Sequence, residues 1–279
     1  MKTGLKTRAA SLLVTFAIAP GTTMAAGGQF PRAQVDSCAS GDPQARVTAC
    51  TQQLGQGGLA TDARIRAYVN RGIAHELLDH LEDALRDFQA ALDLDRANVV
   101  TLRTRAVILH RHARSQEALA DLTRAVAAAP GDATLYKVRG GIYADLGQAG
   151  RAVEDFSKVL DTAPGDLQAR LSRAMVVAAA GDDRRAIQDF NRILTREPRS
   201  RVTRAARAFS LFRLKQYALA IQDWDILLQE DPGQLALVYC RGAAKALSGD
   251  ATGRTDMEQV RQQKPEIAAA QAAACPSGS

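Results

Sequence analysis

The chain has 279 residues, a formal net charge of +6, four cysteines and an aromatic content of 5%. Three of the positive charges, on Lys2, Lys6 and Arg8, lie in an N-terminal leader, which leaves about +3 on the rest of the chain. Because this excess is small and aromatic side chains are few, the composition argues against a nucleic-acid-binding surface. We therefore expect no nucleic-acid partner.

The first 25 residues predict a secretory signal peptide. After the cationic start, Ala9–Pro20 is an apolar run of about a dozen residues, shorter than the roughly 20 that span a bilayer. Small residues then predict cleavage after Ala25, with Ala26 as the alternative. An amphipathic first helix or a membrane anchor is the competing interpretation. No later stretch is apolar enough to span a membrane. We predict a periplasmic or secreted bacterial protein.

The four cysteines fall in two groups, one near each end of the chain. In an oxidising compartment, disulfides persist, and we predict the pairs Cys38–Cys50 and Cys240–Cys275. Free, buried thiols are the alternative. Between the leader and the repeats, residues 26–64 predict an N-terminal capping segment. It contains one helix, Pro43–Leu54.

An arginine recurs every 34 residues through the middle of the chain, and glycine or alanine follows each one. An aspartate follows each arginine after 16 residues, or after 15 in the last unit. The arginines are Arg71, Arg105, Arg139, Arg173, Arg207 and Arg241, and the aspartates are Asp87, Asp121, Asp155, Asp189, Asp223 and Asp256. A fixed period of this length predicts a repeat array, in which each unit buries its apolar face against its neighbours.

Each unit is predicted to be a helix, a turn and a second helix. The third unit, residues 133–166, has apolar residues at helical spacing on both sides of Gly147 and Gly150. If the two helices of a unit run antiparallel, its arginine and its aspartate lie at the same height along the pair. A paired Arg–Asp at each helix interface, within one unit or bridging to the next, is the favoured interpretation. A stripe of cations for an acidic ligand is the alternative.

Three further columns carry a resemblance to a known family. A small residue stands in the second helix of every unit, a bulky one follows four places later, and a proline closes most units. The columns are Ala84, Ala118, Ala152, Ala186, Ala220 and Gly253; Phe88, Leu122, Phe156, Phe190, Trp224 and Met257; and Pro130, Pro164, Pro198, Pro232 and Pro265. In period and in these columns the chain resembles the tetratricopeptide repeat. It departs from that family in having arginine where leucine is common.

The resemblance implies an all-α, right-handed solenoid of stacked helix–turn–helix units. Five to six units are expected over residues 65–266, followed by a capping helix and tail over 267–279. The cap is needed because the last unit of such an array otherwise exposes a core face.

The sequence predicts no enzyme, cofactor or metal site. His75 and His80 resemble part of a zinc-protease motif, but that motif requires histidines four residues apart on one helix, and these are five apart. No glycine-rich phosphate loop, nucleophile elbow or pair of catalytic carboxylates is present in the sequence.

The resemblance also implies a groove, lined by the first helix of each unit, that binds extended peptides. The recurring arginines and aspartates are called the ladder below. Positions flanking each ladder arginine are expected to face the groove. They are Arg66, Arg103, His110, Arg111, Lys137, Leu171, Met175, Phe209, Phe212, Arg213 and Tyr239. This set predicts a groove that is basic at one end and apolar toward the other. Phe209 and Phe212 filling gaps between units is the alternative.

The predicted function is a non-catalytic protein–protein interaction scaffold in the bacterial cell envelope. Its partner is expected to be a protein or peptide with apolar anchors and an acidic end. The alternatives are a periplasmic chaperone or assembly factor for envelope proteins, and a substrate-recognition subunit of an envelope enzyme.

Overall fold

A computed structural model describes residues 38–276, and the predicted signal peptide lies outside them. The described residues form 14 helices and contain no β-strand. The helices are α1 (Pro43–Gly55), α2 (Thr61–Leu77), α3 (Leu81–Leu94), α4 (Val99–Arg111), α5 (Ser115–Ala128), α6 (Ala133–Asp145), α7 (Ala149–Thr162), α8 (Leu167–Ala179), α9 (Asp183–Arg196), α10 (Arg201–Arg213), α11 (Tyr217–Glu230), α12 (Leu235–Leu247), α13 (Thr252–Gln263) and α14 (Pro265–Ala274). In the described part of the chain, no helix has the length and apolar character needed to cross a membrane.

The helices pair antiparallel into six units, from α2 with α3 to α12 with α13. The sequence prediction of an all-α repeat fold is confirmed. The alanine column of the second helices is fully buried, and the bulky column beside it, including Phe88, Phe156 and Trp224, is equally inaccessible. Alanine lets the two helices of a unit approach closely, and the bulky side chain four residues later fills the adjoining space. The core is therefore a row of similar clusters along the array.

Local sequence signals set the helix boundaries. Between units, Asn98, Asp132 and Asp166 cap the next helix by accepting a hydrogen bond from a backbone N–H in its first turn, at 2.8–3.0 Å. Within units, the turn contains one residue with φ between 59° and 91°, which favours glycine. This column is Asp79, Ala113, Gly147, Gly181, Lys215 and Gly249.

The ends of the array are closed differently. At the N-terminus, α1 packs on α2, and bonded Cys38 and Cys50 form a small cluster with Ala67. At the C-terminus, α14 packs on α12 and α13, and Cys240 of α12 is bonded to Cys275, directly after α14. Two boundaries differ from the predicted ones, because α2 begins at Thr61 and α14 begins at Pro265.

Replacing both Cys240 and Cys275 by serine is expected to detach α14. The disulfide closes a separation of 35 residues, and loss of such a crosslink typically lowers the free energy of unfolding by about 2–4 kcal/mol. In a repeat array the loss is expected to remain near the modified end. Hydrogen exchange should therefore show lost amide protection in α14 and α13, with α2 to α5 unchanged. Uniform loss of protection along the chain would contradict this localised cap.

The two helices of the sixth unit approach more closely than those of the first and third units, which also have glycine after the ladder arginine. A Cβ atom built on Gly242 would lie 2.7 Å from the carbonyl oxygen of Gly253, whereas one built on Gly140 has its nearest neighbours at 3.2 Å. Glycine on both helices allows their backbones to approach at this point. This unit is also the one in which the arginine–aspartate interval is 15.

Candidate functional site

The six ladder arginines each bind the aspartate of their own unit. In the first five units the pair is bidentate, with Nε and Nη2 donating to the two carboxylate oxygens at 2.6–2.9 Å. In the sixth unit, Arg241 makes a single bond of 3.0 Å to Asp256. The aspartates of the five bidentate pairs are buried. These pairs are therefore hydrogen-bonded ion pairs at the edge of the core.

A third arginine nitrogen extends the ladder to the preceding helix. Nη1 donates to a side chain 16 residues earlier on the second helix of the previous unit or, for Arg71, to one 20 residues earlier on α1. The acceptors are Thr51 at 3.0 Å, Gln89 at 2.9 Å, Ser157 at 3.0 Å, Asn191 at 2.7 Å and Asp225 at 2.9 Å. Arg139 is the exception among the described residues: Thr123 lies 16 residues before it, and the hydroxyl of Thr123 donates to the carbonyl of Leu119. The arginines thus bind both within and between units.

Ion pairing in the ladder favours the charged form of Arg71 and Arg139. Hydrogen bonds to Asp87 and Asp155 raise the pKa values of Arg71 and Arg139, although burial of each guanidinium acts in the opposite direction. Arg139 also lies 5.6 Å from the ring centre of Tyr136. A guanidinium whose donors already point at a buried carboxylate is poorly placed to bind an external anion.

Units four and five add a second arginine to the ladder. Arg170 donates to Asp189 at 3.2 Å and to the carbonyl of Pro164 at 2.6 Å. Arg204 makes the equivalent bonds to Asp223 and Pro198 at 3.1 and 2.6 Å. In unit three, Tyr136 occupies this position and its hydroxyl donates to the carbonyl of Pro130 at 3.1 Å. Each of these two aspartates therefore accepts hydrogen bonds from two guanidinium groups.

The first helices of units two to five contact one another in succession, on the side where the sequence predicts the groove. Most of its predicted cations are already paired across neighbouring units. Arg111 bonds Glu76 at 3.0 Å, His110 lies 3.0 Å from Asp145, Lys137 bonds Asp166 at 3.0 Å, and Arg213 bonds Asp183 at 2.8 Å. The predicted basic end of the groove is therefore largely neutralised by the protein's own carboxylates.

The pairing between Lys137 and Asp166 affects the carboxylate. Partial burial raises the pKa of Asp166, but hydrogen bonds from the Ala169 N–H and from Lys137 outweigh it and hold the pKa below its usual value. Asp166 also caps α8, so this ion pair joins α6 to the start of the next unit.

Two of the predicted groove residues lie in the core. Phe212 is buried against Trp224 and Tyr217, with ring centres 5.8 and 5.5 Å apart. Tyr239 is buried in the C-terminal core cluster, beneath the helix that Cys275 ties down. Phe209 is half-buried and meets Trp224 edge to face at 5.6 Å. These side chains fill the spaces between helices, so the interpretation of Phe212 and Tyr239 as groove residues was wrong.

What remains accessible on the groove side is a smaller set. Arg66 is exposed and Arg103 half-buried, and neither has an ion-pair partner among the described residues. Val100 and Val202 are 54% and 63% exposed. Leu171 and Met175 are half-buried between them. Sequence reasoning missed the two valines, although Val100 lies one helical turn before Arg103 and Val202 lies two turns before Phe209, both of which it did select.

Comparisons with known proteins support the repeat identity. A family model described as tetratricopeptide repeat matches residues 65–98. No curated protein matches this chain. Solved structures that are similar include a tetratricopeptide repeat protein from Parabacteroides merdae, with a TM-score of 0.58 and 20% identity over 84% of this chain and 92% of that one.

Two further structures have the same fold. The C-terminal part of a repeat-containing protein from Cytophaga hutchinsonii has a TM-score of 0.67 and 13% identity, over 82% of this chain and 94% of that one. YrrB, described as a repeat protein with an unusual peptide-binding site, has a TM-score of 0.58 and 17% identity, over 66% of this chain and 96% of its own. With its 34-residue period, its helix pairs and these neighbours, this chain has the all-α fold of tetratricopeptide repeat proteins, and its first unit, residues 65–98, matches the family model.

Proposed function

We propose that this protein is a non-catalytic scaffold that binds an extended segment of a partner protein along its first helices, in the bacterial cell envelope. The tetratricopeptide fold implies protein or peptide partners. The peptide-binding site for which YrrB is described supports a peptide as the ligand class.

The observation that carries this proposal is the exposure of Val100 and Val202 on helices whose other large apolar side chains are packed. An exposed aliphatic side chain gains from contact with an apolar partner residue, at roughly 25 cal/mol per Å² removed from water. Arg103 follows Val100 by three residues, on the same face of α4. The partner segment is therefore expected to carry apolar side chains and at least one carboxylate.

Replacing Arg103 by glutamate and Val202 by aspartate is expected to weaken partner capture at least about tenfold, since each position contributes about 1 kcal/mol or more if it anchors the partner. Both side chains are accessible, so the fold should survive. Quantitative pull-down from the organism's envelope fraction, with the unmodified protein in parallel, measures the effect.

A matched control places the same changes on second helices, as Arg192→Glu with Leu219→Asp. Both residues are exposed on α9 and α11. Equal capture by the groove variant and the unmodified protein, or equal loss in both variants, would exclude the groove as the binding site. Suppression of aggregation of many unfolded proteins without stable capture would indicate a chaperone. A single stoichiometric enzyme partner would indicate a recognition subunit.

The proposed envelope location is supported by the cationic and apolar leader and by the two disulfides, which fit an oxidising compartment. The protein purified from the organism is expected to begin at Ala26 or Gly27 and to contain no thiol that reacts with an alkylating reagent before reduction. An intact Met1 together with four reactive thiols would contradict this location.

A further inference from the structure

The turn of the first unit brings together three side chains that bind metals. His75 lies in the last turn of α2, His80 is the residue before α3, and Asp83 lies in the first turn of α3. One ligand atom from each of the three lies within 4.8 Å of the others. The sequence predicted no site here, because the zinc-protease motif requires histidines four residues apart on one helix. That rule does not cover a cluster in which His80 lies in the turn after the helix.

The backbone of the turn fixes this arrangement. Asp79 has φ of 59°, which reverses the chain after α2. The N–H of His80 then donates to the carbonyl of His75 at 2.9 Å, which returns the second imidazole to the side of the first. The two ring centres are 6.0 Å apart. The cluster is therefore set by the backbone.

His75 has a buried nitrogen without a hydrogen-bond partner. Its Nε2 lies 4.0 Å from a carboxylate oxygen of Asp87, which Arg71 holds in place. Its Nδ1 is buried and makes no hydrogen bond. A metal-binding histidine commonly turns one ring nitrogen toward a carboxylate and presents the other to the ion. The unpartnered Nδ1 is the nitrogen left for that role.

The side chains of His80 and Asp83 can move to bind an ion at little cost in free energy. His80 is exposed, and the carboxylate of Asp83 is paired only with Arg86, whose side chain is 77% exposed and can leave. Tetrahedral zinc sites have ligands about 2.0–2.2 Å from the ion, which places them about 3.5 Å from one another. The ligand atoms of the cluster lie within 4.8 Å of one another, so they must move closer to reach that spacing. The side chains of His80 and Asp83 are accessible and can make this adjustment.

We propose that His75, His80 and Asp83 form a binding site for a divalent transition-metal ion, Zn²⁺ in particular. Two imidazoles and one carboxylate match the ligands that zinc prefers, and three protein ligands leave one position for water. The ion would tie the end of α2 to the start of α3.

The test is titration of Zn²⁺ into the untagged, chelator-stripped protein in competition with a chromogenic chelator. One bound ion per chain is expected. His80→Ala should weaken its binding at least about tenfold, since even partners of metal ligands are worth about 10- to 100-fold. His80 is exposed, so its loss leaves the fold intact; Asp83→Asn provides a second variant.

His112→Ala is the matched control, because His112 is exposed, follows the first helix of the second unit and has no place in the cluster. Its affinity for Zn²⁺ should stay within about twofold of the unmodified protein. Absence of Zn²⁺ binding, or binding that His80→Ala and Asp83→Asn leave unchanged, would overturn the proposal. Equal loss in the control variant would do the same.

Discussion

Replacing Asp189 by asparagine is expected to lower the free energy of unfolding by about 3–5 kcal/mol, which is the usual cost of removing one partner from a buried ion pair. Asp189 is buried and accepts bonds from both Arg173 and Arg170, at 2.8–3.2 Å. The amide leaves two guanidinium groups close together without a counter-charge. Urea denaturation followed by far-UV circular dichroism measures the change.

Two controls separate this effect from a general loss of charge. Asp161→Asn on the exposed side of α7 is expected to change stability by less than about 0.5 kcal/mol. Adding Arg170→Tyr to Asp189→Asn should recover part of the loss, because the tyrosine removes one guanidinium and can reach the Pro164 carbonyl as Tyr136 reaches that of Pro130. If Asp189→Asn costs no more than Asp161→Asn, the ladder does not stabilise the array.

Replacing Gly253 by alanine is expected to separate the helices of the sixth unit, at a cost of about 3 kcal/mol or more. The added Cβ would overlap the carbonyl oxygen of Gly242 and lie 2.5 Å from the backbone nitrogen of Ala246. Both obstacles are backbone atoms of α12, so no rotation of a side chain relieves the contact. Calorimetry and hydrogen exchange of α12 and α13 measure the loss.

Gly140→Ala is the matched control for this substitution. Its nearest contacts would be at 3.2 Å, and other units carry alanine at the equivalent place, as in Ala106 and Ala174. Alanine also favours the helix by up to about 1 kcal/mol. A change within about 1 kcal/mol is expected. A similar loss in both variants would mean that close backbone approach is not special to the sixth unit.

The repeat period and the small and bulky columns predicted the fold, because every unit must bury the same face in the same way. The equal height of Arg139 and Asp155 favoured an ion pair, but the sequence left open whether such pairs lie within one unit or bridge to the next. The bonds between units did not follow from the sequence, since they depend on how units stack. Their signal was nevertheless present: from the second unit onward, every residue 16 places before a ladder arginine, such as Gln89 or Asn191, is polar.

The groove was predicted less well than the fold. Helical spacing selects a face of each first helix, but it does not show which side chains a neighbour covers. Phe212 is covered by Trp224 of its own unit, and Arg213 is neutralised by Asp183 of the preceding one. Such contacts depend on the stacking angle between units, which a 34-residue period does not specify.

The ladder bonds also bear on how such an array gains or loses units. Within a unit the bond joins two charges, whereas between units it ends on a neutral oxygen in most cases, on Thr51, Gln89, Ser157 or Asn191. Deleting residues 167–200 would bring Arg207 to Ser157, the hydroxyl that accepts from Arg173 in the intact chain. Duplication or deletion of a gene segment of this length therefore leaves a compatible junction, and the length of the protein can evolve without redesign of the units that remain.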